Sequence, residues 1–160
     1  MRNKDAQTIV QYYNAIPEMQ KLLRQESRDI QDEYYGLPGI QMDGMPHGTA
    51  PGKPVEAAAI AIMESGVDVR LREIENRLQE LDADRRAIQD ALDQINGRYK
   101  NILNLRYANR YSWGKISVQM GVPDSTARHW NDKALYRLGK VLDDAPEITG
   151  ILNRASRARV

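Results

Sequence analysis

The segment from Ser112 to Leu138, SWGKISVQMGVPDSTARHWNDKALYRL, is compatible with few folds. Its apolar residues follow helical spacing on both sides of Gly121-Val122-Pro123, and no helix can run through that tripeptide. A first helix should end near Met120, with Ile116 and Met120 facing inward. Gly121 supplies the left-handed turn residue that a sharp helix exit needs. Val122 fills the angle between the helices, and Pro123 forbids continuation of the first. Asp124 or Ser125 is expected to cap the second helix, with Ala127, Trp130, Ala134 and Leu138 as its buried stripe. This is the residue pattern of a helix-turn-helix, a unit that sets one helix into the major groove of DNA.

A length of 160 residues fits one domain, or a small domain with an extension. Charged residues reach 28% and hydrophobic ones only 41%, with no Phe, which argues against a large enzyme core. With no cysteine there is no disulfide framework, zinc finger or thiol nucleophile. No apolar run approaches the roughly 18 residues of a membrane span, and Met1 to Asp5 leads straight into polar sequence. These features predict a soluble cytoplasmic protein that needs no cofactor.

The net charge of +1 hides a division. Residues 1–96 hold 11 Lys/Arg against 17 Asp/Glu, a net of −6, whereas residues 97–160 hold 12 against 5, a net of +7. Only the second half is suited to phosphate. It is also the half with the helix-turn-helix pattern.

Residues 1–35 read as an N-terminal helical segment from Lys4 to Tyr35. Ile9, Tyr12 or Tyr13, Ile16, Leu23, Ile30 and Tyr34 lie on one side, and Pro17 should kink or restart the helix. Residues 36–54, GLPGIQMDGMPHGTAPGKP, contain five Gly and four Pro in 19 residues and read as a linker. A long helix is expected over residues 55–96, from about Val55 to Ile95. Its heptad a positions are Val67, Ile74, Leu81, Ile88 and Ile95, and its d positions are Leu71, Leu78, Arg85 and Leu92. Eight of these nine are aliphatic, a coiled-coil pattern of the kind that favours a parallel dimer. Arg85 at d would fix register. The competing arrangement is intramolecular, with the first helix folding back along the second.

Asn96-Gly97 should end the long helix and open a DNA-binding domain over residues 97–142. Its first helix, Arg98 to Ala108, has Tyr99, Ile102, Leu103 and Tyr107 inside. Asn109 to Ser112 connects to the next helix, which Ser112 can cap. Residues 143–160 form a basic tail, broken from the domain by Asp143-Asp144-Ala145-Pro146. Ile148, Ile151 and Leu152 give it a weak helix, and Arg154, Arg157 and Arg159 a basic end expected to fray in solvent. The predicted class is therefore all-α: N-terminal helices and a long coiled-coil-like helix, then a C-terminal helix-turn-helix domain.

Within the second helix of that unit, the outward residues are Asp124, Ser125, Thr126, Arg128, His129, Asp132 and Lys133. Arg128 has the fork geometry to pair with guanine O6 and N7, and His129 can donate to a base or phosphate. Ser125 and Thr126 suit phosphate at the helix start, where free backbone N–H groups favour anions. Asp132 would repel phosphate. Arg110, Lys115, Arg137 and Lys140 supply supporting charge. Trp113 and Trp130 read as core residues. His47 and His129 are two isolated histidines without companion ligands, so no metal site is expected. Acidic residues on the long helix alternate with Arg and Gln at helical spacing, as on a solvated face.

The run from Ile102, ILNLRYANRYSWGKISVQMGVPDSTARHWNDKALYRL, resembles region 4 of sigma-70-type factors. Their pattern is a hydrophobic-Arg-Tyr helix, a short turn, a helix-turn-helix, then Ala-Leu-x-x-Leu. With Tyr-Ser-Trp and the preceding Met-Pro linker and long helix, the chain is similar to the ArpU/RinA-type regulators of phage late genes. The resemblance implies a small phage or prophage protein that activates transcription of packaging, structural and lysis genes. Pro123-Asp124 at the turn and Trp130 in the recognition helix depart from the commonest pattern, so base preferences do not carry over.

The expected function is therefore sequence-specific binding of double-stranded DNA by a non-enzymatic transcriptional regulator. Its expected partners are a second copy of itself, with a dimer favoured, and host RNA polymerase as a further candidate. The alternatives are a phage small terminase subunit, which recognises DNA for packaging, and a sigma-like protein-interaction module. Small terminase subunits place their DNA-binding unit first, the reverse of this order.

Overall fold

The computed structural model describes residues 1–35 and 66–158. All regular structure among them is helical. In chain order the elements are α1 (Asn3–Tyr35), α2 (Val67–Asp93), α3 (Gly97–Leu103), α4 (Trp113–Met120), α5 (Asp124–Asp143) and α6 (Ile148–Arg157). A π-helical turn, Asn104–Ala108, extends α3. The expected linker over 36–54 and the expected helical residues 55–65 lie outside the described residues. None of the described helices is long and apolar enough to cross a membrane.

Local chemistry accounts for most of the helix ends. Asn96 caps α3, its side-chain oxygen accepting from the Arg98 N–H at 3.0 Å. Ser112 caps α4 as expected, accepting from the Lys115 N–H at 3.2 Å. Gly121 ends α4 in the left-handed region at φ 67°, ψ 34°, also as expected. The start of α5 differs from expectation. Pro123 occupies the cap position without a side-chain hydrogen bond, and Asp124 is already helical. Proline has the φ that a helix start needs, and Asp124 sits where the helix dipole favours negative charge.

Two other expectations change. Pro17 does not divide the first helix, and α1 runs through it with the proline ring in solvent. The long helix does not pass Gly66, whose φ of 72° is incompatible with α-helix, so α2 starts at Val67. It stops at Asp93, and Ile95 is buried in the connection to α3.

The described chain forms two compact units, Met1–Pro17 with Leu81–Val160, and Glu18–Glu80. In the first unit, α5 packs on α3 and α4 through Ala127, Ala134, Leu135, Leu138 and Leu142. Ile102, Leu103 and Ile116 are buried on the other elements of this core, as are Ala6, Ile9 and Ile16 of α1. Where the start of α1 meets α5, Asn3 donates to the Asp132 carbonyl at 3.2 Å. The Met1 ammonium pairs with Asp143. Gly139 lies against this end, where a Cβ would sit in van der Waals contact, 3.4 Å from both Cβ and O of Met1.

Asp84 of α2 ties three helices of this unit together. Only 3% exposed, it accepts from Tyr12 Oη of α1 at 2.8 Å and from Arg154 of α6 at 2.8 Å (Nε) and 2.7 Å (Nη2). A carboxylate this deep is tolerable because the bidentate guanidinium neutralises it and the phenol takes up further acceptor capacity. As far as Ala158 the tail is therefore docked rather than frayed, and Arg159 lies outside the described residues. Ile151 and Ala155 are buried, and Arg154 faces the core instead of phosphate.

In the second unit Ile74 and Val67 of α2 are buried, along with Gln20 of α1. Arg70 grips the Glu26 carboxylate with Nε at 2.8 Å and Nη2 at 2.9 Å. In each unit a stretch of α1 thus covers a stretch of α2. The expected heptad a positions, Val67, Ile74, Leu81 and Ile88, are buried within one chain, which is the intramolecular arrangement. Leu71 and Leu78 at d stay half-buried, and Arg85 is exposed.

Removing the guanidinium at position 154 leaves Asp84 charged and buried. Arg154→Ala should lower unfolding free energy by about 2–4 kcal/mol in urea titrations. Arg154→Lys, which keeps the charge without the fork, should recover part of the loss. An Arg154→Ala protein as stable as the wild type would show that the pair does not hold this unit together.

Candidate nucleic-acid interface

The candidate residues are carried chiefly by α5, and its two faces are chemically distinct. Ala127, Asn131, Ala134, Leu135 and Leu138 are buried. Ser125, Arg128, His129, Asp132, Lys133, Tyr136, Arg137 and Lys140 are exposed at spacings of three and four, so they share the outer side of the helix. Of the residues proposed from sequence, Ser125, Arg128, His129, Lys133 and Arg137 thus come together on one element. Thr126 is half-buried. Lys115 lies exposed on α4, and Arg110 is exposed in the connection before it, at φ 55°.

Cations in this region are held differently from those elsewhere. Arginines just before α1 and within α2 pair with carboxylates, as in Arg2–Asp5, Arg70–Glu26 and Arg86–Asp82. Four later arginines, Arg98, Arg106, Arg128 and Arg137, stand over rings instead. Arg98 lies 4.5 Å from the centre of Trp130 and 5.4 Å from that of Tyr99. Arg137 approaches the same Tyr99 ring at 4.8 Å. Arg106 and Arg128 approach Trp113 at 4.7 and 5.3 Å. Lys115 stands 3.8 Å from Tyr111, and Lys140 4.8 Å from Tyr136. A ring orients a cation through its quadrupole without cancelling its charge, so the field of the surface stays positive.

This revises the expected place of the tryptophans. Trp113 and Trp130 are half-buried rather than core residues, and each supports an arginine on an indole. Asn131 takes the inward place beside Trp130. Its Nδ2 donates to Tyr107 Oη at 3.2 Å, while its Oδ1 has no partner among the described residues. Sequence reasoning missed Arg98, Arg106 and Asn131. A signal for the first two was present in the basic-aromatic pairs Arg98-Tyr99 and Arg106-Tyr107.

Burial raises the pKa of the Tyr107 phenol above its ordinary value, and Asp132 adds to the rise, while the Asn131 hydrogen bond and Arg106 oppose it. No group of three metal-ligating side chains converges among the described residues. His47 lies outside them.

An all-helical chain with a basic, ring-supported helix face is the class defined by the geometry. Residues 58–140 match the family described as "Protein of unknown function (DUF722)", and the chain belongs to that family. The match extends through α5 as far as Lys140 and omits α1 and α6. No curated protein and no solved structure matches the chain.

The raised Tyr107 value has a definite sign in stability. The folded chain holds the phenolic proton more tightly than the unfolded one. The resulting contribution is complete below the ordinary tyrosine value of about 10 and is lost as pH rises through the folded value. Wild type should melt above Tyr107→Phe at pH 8, and the gap should narrow between about pH 9 and 11. A gap that stays constant over that range would mean that Tyr107 ionises alike in both states.

Proposed function

We propose that the first compact unit is a sequence-specific double-stranded DNA-binding module, with α4 and α5 as its helix-turn-helix and α5 as the recognition helix. The observation that carries this reading is the outer side of α5. Arg128, His129, Lys133 and Arg137 line it, while a buried row of small and aliphatic residues fixes the helix on its neighbours. Arg128 reads guanine, His129 and Lys133 follow the groove, and Ser125 meets phosphate at the helix start. Arg98, Arg106, Arg110, Lys115 and Lys140 add backbone attraction. The resemblance to phage late-gene regulators makes transcriptional control of such genes the role we assign.

Recognition of paired half-sites calls for two copies. With the heptad a stripe covered by its own chain, we place self-association on what the second unit leaves outside. Leu22 and Val69 are 61% and 59% exposed there, and Leu71 and Leu78 are half-exposed.

The reading is tested by selecting bound fragments from sheared DNA of the source genome at two salt concentrations. One promoter-proximal site that survives higher salt is expected, and uniform binding lost with salt would leave phosphate attraction alone. On the selected site Arg128→Ala should cost about 1–3 kcal/mol of specific affinity with little change on random DNA. Leu78→Asp should halve the mass seen by light scattering, and an unchanged mass would move the interface elsewhere.

A further inference from the structure

Arg128 is exposed on α5, and no ion pair joins it to a described carboxylate. Asp124 and Asp132 stand four residues before and after it, the spacing at which helical ion pairs form, yet neither takes it. Its guanidinium instead stands 5.3 Å from the centre of the Trp113 ring. The indole is itself fixed. It belongs to the first residue of α4, a helix start that Ser112 caps through the Lys115 N–H, and Arg106 lies 4.7 Å from its centre. Arg106 is anchored in turn by donating from Nη1 to the Tyr111 carbonyl at 3.0 Å. A relay therefore runs from the backbone before α4, through Arg106 and Trp113, to the tip of Arg128.

The manner of holding matters. A carboxylate takes up the in-plane N–H donors of a guanidinium, the same donors that guanine O6 and N7 require. An aromatic ring attracts the cation through its quadrupole, without accepting those hydrogen bonds. A long side chain otherwise loses rotamer freedom on binding, and a ring that already limits it reduces that cost. Trp113 is half-buried, so part of the residue stays at the surface.

We propose that Trp113 is the positioning residue for Arg128, holding its guanidinium beside the indole with the donor edge left for a guanine. The proposal rests on α5 being a recognition helix. It assigns specificity to a residue of α4 that need not touch a base.

The test has one arm without DNA and one with it, both on the full chain. In side-chain NMR of the free protein, the Arg128 Hδ and Hε signals should be shifted upfield by the indole ring current. The shift should vanish in Trp113→Leu and persist in reduced form in Trp113→Phe. Unshifted Arg128 signals in the wild type would overturn the proposal outright.

In the second arm the probe is the selected site, compared with copies in which single guanines are replaced by 7-deazaguanine, which lacks the N7 acceptor. Wild type should lose affinity at one position per half-site. Trp113→Leu should lower the preference for the natural site roughly three- to fivefold and lessen the 7-deaza penalty there. Its affinity for random DNA and its salt slope should not change, and Trp113→Phe should restore part of the preference. A specific wild type whose Trp113→Leu and Trp113→Phe forms discriminate equally well would overturn the positioning role alone. A wild type that binds selected and random DNA alike would overturn the recognition-helix reading, and with it any role at guanine. Should Trp113→Leu fail to fold, the wild-type ring-current shift and the Trp113→Phe comparison still decide.

Discussion

The buried carboxylate of Asp84 is the constraint on which much of the first unit depends. A charge only 3% exposed must be neutralised and hydrogen-bonded, and its partners come from two other helices, Tyr12 of α1 and Arg154 of α6. Satisfying it brings together segments about 70 residues apart in sequence. Apolar packing alone would tolerate several registers of α1 on α2. A donor that must meet one oxygen is far less permissive, which is the best-supported use of a buried polar group. The same contact makes α6 part of the unit, although its sequence is short, basic and weakly apolar.

On the frame so fixed, α5 divides its labour by face. Its inner side is built from Ala, Leu and Gly, which allows close approach by α3, α4 and the start of α1. On the outer side Arg128, Arg137 and Lys140 are supported by rings. Salt bridges dominate α1 and α2, where positive charge is neutralised locally. Within the +7 of residues 97–160, Arg154 is neutralised by Asp84, whereas Arg98, Arg106, Arg128 and Arg137 are held on rings that leave their charge effective. Counting charges reveals the total and gives no hint of this division.

Much of the local architecture was legible beforehand. Ser112 as a cap, Gly121 in the left-handed region and the inward row Ala127, Ala134 and Leu138 follow from short-range rules, and the structure has all three. Expectations failed where one residue had two solutions of similar local cost. Pro17 could restart the helix or sit within it on the solvent side, and the structure has the second. Trp130 and Asn131 are neighbours at the margin of the buried stripe. Hydrophobicity favoured Trp130, but the space inside takes the amide, which reaches Tyr107, while the indole supports Arg98.

The sequence by itself determined the helical class, the sharp turn between α4 and α5, and the basic character of the second half. Each depends on spacings of a few residues or on composition, which the chain expresses without reference to distant partners. Tertiary structure alone decided that the α2 stripe is covered by α1, that the tail docks through Arg154, and that Arg128 stands beside Trp113. Those outcomes join residues 15 to 70 positions apart, and nothing in a local pattern says which of many chemically similar arginines, carboxylates and rings will meet.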